Sequence, residues 1–144
     1  MRTTTVSDIM TDVVETLRVG DTLAMARRQI ERSGIHHLPV IDADEHVIGL
    51  ITYRRVLEAE IGRGQESVDS GGELGRNVLV ETVMEKDVLT VDAETSAAEA
   101  ARLLNNNKFG SLPVTKDEKL VGIITAGDFV RVAMRFLEKE LHRM

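Results

Sequence analysis

The stretch 37-HLPVIDADEHVIGLIT-52 is written again as 111-SLPVTKDEKLVGIIT-125, with one residue fewer in its charged turn. Each copy is two short apolar runs rich in β-branched residues around a polar connection, which predicts an antiparallel strand pair. The likeness extends outward toward the N-terminal side of each copy. Val6, Met10, Val14, Thr16, Ala26 and Arg28 return as Val80, Met84, Val88, Thr90, Ala100 and Arg102. Duplication implies a unit that cannot bury its apolar face alone, so function is expected where the two copies pack together.

The flanks of the strand pairs repeat as well. Val13 to Val19 and Val88 to Val91 read as short strands. A helix follows each: Leu23, Ala26 and Ile30 form one stripe, and Ala97, Ala100, Ala101 and Leu104 the other, with Ser96 and Glu99 at capping-box spacing. Gly34 is placed to end the first helix and Asn105 to Asn107 the second. Closing helices are predicted from Tyr53 and from Ala126. The last carries Phe129, Val132, Ala133, Phe136, Leu137 and Leu141 on one side and Arg131, Arg135, Glu138 and Lys139 on the other, so one face is expected to be buried and the far end to reach a partner subunit. Residues 6–62 form the first repeat, the Gly- and Ser-rich residues 63–79 a linker, and residues 80–144 the second repeat with the C-terminal helix.

Composition narrows the functional classes. The chain has 144 residues, 42% of them hydrophobic, and no cysteine, which excludes disulfides, thiolate metal sites and a cysteine nucleophile and fits a reducing cytoplasm. The apolar runs are of strand length, so neither secretion nor membrane spanning is expected. A net charge of −6 argues against nucleic acid as a partner. There is no phosphate-binding glycine loop, no nucleophile elbow and no dinucleotide fingerprint, and no catalysis is expected. Asp42, Asp44 and Glu45, like Asp117 and Glu118, read as solvated turn charges, and adjacent His36 and His37 diverge on a strand, so no metal site is expected.

Two units of this pattern resemble a tandem pair of CBS (cystathionine β-synthase) domains, a Bateman module. The resemblance implies an α+β (mixed α/β) fold of two β-α-β-β-α repeats packed as a pseudo-two-fold pair. It further implies a regulatory ligand, AMP, ADP, ATP or S-adenosylmethionine, in clefts between the repeats, with no required cofactor, and a homodimer forming a disc of four repeats.

Gly122-Ile123-Ile124-Thr125-Ala126-Gly127-Asp128 places a hydroxyl and a carboxylate at the start of a helix. An ionised carboxylate offers only acceptors, matching the two donors of a ribose cis-diol, while a hydroxyl and free helix N–H groups suit phosphate. Gly122 permits close approach to the backbone. By the resemblance Asp128 takes ribose and Thr125 phosphate, with His36, His37, Val14 and Thr16 facing the same ligand. The same Thr and Asp also make an ordinary helix cap, which needs no ligand. Copy one carries Arg55 where copy two has Asp128, and Arg has no acceptor for ribose. Arg54 and Arg55 are therefore candidate phosphate contacts, or solvated cations. The function expected is a nucleotide sensor acting on a separate effector protein. Its alternative is a ligand-free dimerisation scaffold.

Overall fold

A computed structural model describes residues 3–12, 15–62, 75–107 and 110–143. The chain divides into two compact units, residues 15–88 and residues 1–14 with 89–144. In the first unit the order is β1 (Leu17–Arg18), α2 (Leu23–Ser33), β2 (His37–Ile41), β3 (Val47–Thr52), α3 (Tyr53–Gly62) and a 3₁₀ turn (Val80–Thr82). The second contains α1 (Val6–Ile9), β4 (Val91–Asp92), α4 (Ala97–Asn107), β5 (Ser111–Lys116), β6 (Lys119–Thr125) and α5 (Ala126–His142).

Each unit has one three-stranded sheet, β1-β2-β3 or β4-β5-β6, with the outer short strand parallel and the hairpin antiparallel to the middle strand. Pro39 lies in a middle strand without breaking the ladder. β1 pairs only with Val40 and Ile41, so the missing N–H of Pro39 faces no partner. Pro113 sits identically, since β4 pairs only with Val114 and Thr115.

The strand expected over Val13 to Val19 is shorter than its β-branched composition suggests. Val13 and Val14 lie outside the described residues, and the Asp21 carboxylate accepts the Arg18 N–H at 2.8 Å beside Gly20 at φ +97°, closing a turn at once. Residues 88–90 likewise form no strand, and β4 begins at Val91. The helices follow the expected stripes: Leu23, Ala26 and Ile30 are buried, and Gly34 ends α2 with φ +74°. α4 buries Ala100 and Leu104, and Ser96 Oγ accepts the Glu99 N–H at 3.1 Å. Residues 63–74 of the expected linker lie outside the described residues. Its last part is built into the first unit, where the Val78 carbonyl accepts the Leu23 N–H at 2.7 Å.

Leu38 and Val40, two apart and so on one face of β2, meet Leu17, Ile30, Ile51 and Val56 in the first core. Leu112 and Val114 do the same with Val91, Ala100 and Ile124 in the second. Each core is completed by the segment that opens the other repeat in sequence. Val80 and Met84 belong to the first core, and Val6 to the second with Met10 packed against it. Backbone bonds fix both exchanges: Thr11 and Ile123 trade N–H and carbonyl at 2.9 and 3.0 Å, and Glu85 and Leu50 do so at 2.9 and 3.0 Å.

The repeated glycines serve this exchange. A Cβ on Gly122 would stand 2.6 Å from Met10 Sδ and 2.8 Å from the Thr11 carbonyl oxygen, and one on Gly49 would stand 2.2 Å from Met84 Sδ. The group that approaches Gly122 is thus the chain's own leading segment. Gly122→Ala is expected to destabilise the protein by about 1–3 kcal/mol through overpacking against a backbone atom that cannot yield. Urea denaturation of the variant measures this, and an unchanged midpoint would refute it.

α5 departs from the expected one-sided burial. Near its start Asp128 is buried and Phe129 packs on the core, but Phe136, Leu137 and Leu141 are 60–70% exposed. The stripe continues beyond the sheet that would cover it. No described helix is long and apolar enough to cross a membrane.

Candidate ligand site

The site of interest lies in the second unit, where β6 runs into α5. Thr125 is the N-cap, extended at φ −124°, and its Oγ accepts the Asp128 N–H at 3.2 Å. In return Asp128 Oδ2 accepts the Thr125 N–H at 2.8 Å and lies 3.2 Å from the Thr125 hydroxyl. The capping arrangement allowed by the sequence is therefore realised in full. It engages one carboxylate oxygen. Oδ1 is turned the other way, accepting the Thr11 hydroxyl at 3.4 Å and pairing with Arg131.

Asp128 is only 3% exposed, yet it lines a cleft of about 270 Å³ with Asp8, Met10, Thr11, Arg131 and Arg135. A charged carboxylate so buried is held by four donors, two of them charged or backbone groups. Sequence reading missed Thr11, Arg131 and Arg135 as members. The two arginines lie three and seven residues beyond Asp128 on a helix, a spacing that signals a shared face. Thr11 gives no such signal, since it reaches the site only through the exchange of leading segments.

The matching position in the first unit has a different chemistry. Arg55 stands where Asp128 does, its N–H capped by Thr52 Oγ at 3.1 Å and its Nε donating to the Val83 carbonyl at 2.6 Å. The guanidinium ties the exchanged segment to α3. Arg54 pairs with Glu58 at 3.0 Å on the surface. His36 is exposed, its ring 5.2 Å from that of Tyr53. Thr16 offers its carbonyl to Gln29 Nε2 at 3.2 Å, and Val14 is outside the described residues. The structure thus unites Gly122, Thr125 and Asp128 on one unit, while Thr16, His36, His37, Arg54 and Arg55 belong to the other.

His37 is half-buried, and burial, then the charge of neighbouring His36, lowers its pKa below the ordinary value. A folded-state pKa below the unfolded one means the unfolded chain binds more protons as pH falls. Stability is therefore expected to decline as pH drops through the ordinary histidine range near 6.5 and to level off below the lowered value. His37→Gln should flatten that segment of a denaturation-midpoint profile; a profile identical to wild type would contradict it.

Asp42, Asp44 and His46 converge in the β2–β3 turn, their ligand-type atoms all within 4.8 Å. The turn itself accounts for this. Asp42 Oδ1 accepts the N–H groups of Asp44 and His46 at 2.9 and 3.0 Å, and the latter bond leads in holding the Asp42 carboxyl below its ordinary value.

A duplicated β-α-β-β-α unit with a Gly-apolar-apolar-Thr strand leading into each closing helix, followed by a capping carboxylate in one copy and by Arg in the other, defines a class of paired modules. The family model for the CBS domain matches residues 6–62 and 80–135, and the chain belongs to the CBS domain family. Over 98% of its length it superposes on the AcuB protein of Vibrio cholerae, 98% of which is covered, with TM-score 0.80 and 33% identity. CBSX2 of Arabidopsis thaliana, solved in complex with AMP, is 29% identical with TM-score 0.76, covering 92% of this chain and 98% of that one. An uncharacterized protein of Methanocaldococcus jannaschii is 29% identical over all of this chain, which spans 36% of the relative's length.

Proposed function

We propose that this chain is a regulatory module that binds an adenosine ligand, AMP, ADP, ATP or S-adenosylmethionine, with Asp128 accepting the ribose hydroxyls. The observation that carries the reading is a buried carboxylate aimed into a polar cleft, when capping its helix needs only one of its oxygens. The AMP complex of CBSX2 supports the choice of ligand. Thr125 is the candidate phosphate contact on the same unit and Gly122 a candidate ligand-site residue beside it; His36, His37, Val14 and Thr16 remain candidate contacts from the family likeness, and Arg54 and Arg55 further candidate phosphate contacts. The module works by binding and not by catalysis. Ligand preference for one arrangement of the chain is what would be passed on to a cytoplasmic effector protein. The exposed apolar residues of α5 support a second copy as partner, in a homodimer.

A thermal-denaturation panel tests this. At 100 times its dissociation constant a ligand adds about 2.7 kcal/mol of stability, so at least one adenosine compound should raise Tm clearly. A flat panel would overturn the reading and favour the ligand-free scaffold, to which the uncovered face of α5 is suited.

A further inference from the structure

A carboxylate has about four acceptor positions. Asp128 uses them all: Oδ2 takes the N–H and hydroxyl of Thr125, and Oδ1 takes Arg131 and the Thr11 hydroxyl. Oδ2 is held by the helix cap, so an incoming pair of hydroxyls must compete for Oδ1. Release of Arg131 leaves a guanidinium in the cleft one turn from a second, Arg135, and like charges at that spacing repel. The other acid on the cleft wall is Asp8, on α1. Asp8 is already committed as the capping partner of Thr5, whose N–H it accepts at 2.8 Å.

We propose that binding is an exchange of partners: the ligand's two ribose hydroxyls take the places of Arg131 and the Thr11 hydroxyl on Asp128 Oδ1, and the ligand's phosphate takes the place of Asp128 on Arg131, with Arg135 as the second cation. Arg131 is thereby the residue that selects for phosphate. A neutral nucleoside breaks the ion pair and gives nothing back to the guanidinium. S-adenosylmethionine adds a positive sulfonium to a cleft that has just gained a free cation. A nucleotide, carrying about −1.5 to −2 on its phosphate, restores the balance. The inference rests on the ribose reading of Asp128 and adds the ligand class to it.

Calorimetric titration of wild type, Arg131→Gln and Arg135→Gln with AMP, adenosine and S-adenosylmethionine tests it. Wild type should prefer AMP to adenosine by at least about tenfold, the scale of a charge-assisted hydrogen bond. Arg131→Gln should weaken AMP and strengthen adenosine, bringing the two near parity, and Arg135→Gln should narrow the gap partway. Equal wild-type affinities for AMP and adenosine, or a preference that survives both substitutions, would overturn the exchange while leaving Asp128 as the ribose group. Should Arg131→Gln fail to fold, the Arg135→Gln preference and the loss of AMP affinity in added salt decide the matter, and a salt-independent affinity would overturn it. If wild type binds none of the three, or Asp128→Ala binds AMP undiminished, the ribose reading itself fails and the exchange with it.

Discussion

Val6→Asp is expected to cost at least about 4 kcal/mol, although Val6 lies outside the repeat whose core it fills. Val6 is fully buried among Val91, Ala100, Leu112, Val114 and Ile124, residues that belong to the second copy of the pattern. Its N–H donates to the Thr95 carbonyl at 2.8 Å, and the next N–H to Ala93 at 3.0 Å. A carboxylate there would be desolvated without a cation beside it in the core. Val80→Asp should be comparably severe, because Val80 fills the same place in the first unit. Denaturant titration of both variants reads the effect. A loss under about 1 kcal/mol at Val6 would mean that the leading segment is an ornament on the second unit and not part of it.

Asp128→Ala should abolish the ligand-induced rise in Tm. The substitution also removes half of a capping box, which costs about 0.5–2 kcal/mol by itself. The ligand-dependent shift must therefore be measured against each protein's own ligand-free Tm. The two effects separate cleanly, since capping is lost whether or not ligand is present, whereas the gain of about 2.7 kcal/mol at saturating ligand exists only if the carboxylate binds it. A variant with lowered ligand-free Tm and a full ligand shift would leave Asp128 with its structural role alone.

Much of this was legible in the sequence, and the reasons are local. The apolar, β-branched runs marked β2 and β5 as strands, Gly34 stopped α2, and the short charged turns between apolar runs gave antiparallel hairpins. The β5–β6 turn is less readable, because Asp117 and Glu118 both adopt positive φ, 51° and 69°, without the glycine that usually marks such a turn. The exchange of leading segments left no mark at all. Val6 and Val80 carry the same apolar signal, and either would fit either core, so pattern alone does not say which segment docks where. That gap hid Thr11 from the site. Arg55 looked like an anion contact because its type suggests one. Its Nε also satisfies the Val83 carbonyl, a bond visible only once the exchanged segment is in place.

A crystal structure of the chain grown with AMP is the most direct measurement. Both ribose hydroxyls are expected within hydrogen-bond distance of the Asp128 carboxylate, with Arg131 moved off it. AMP bound elsewhere, with Asp128 still held by Thr11, Thr125 and Arg131, would contradict the account.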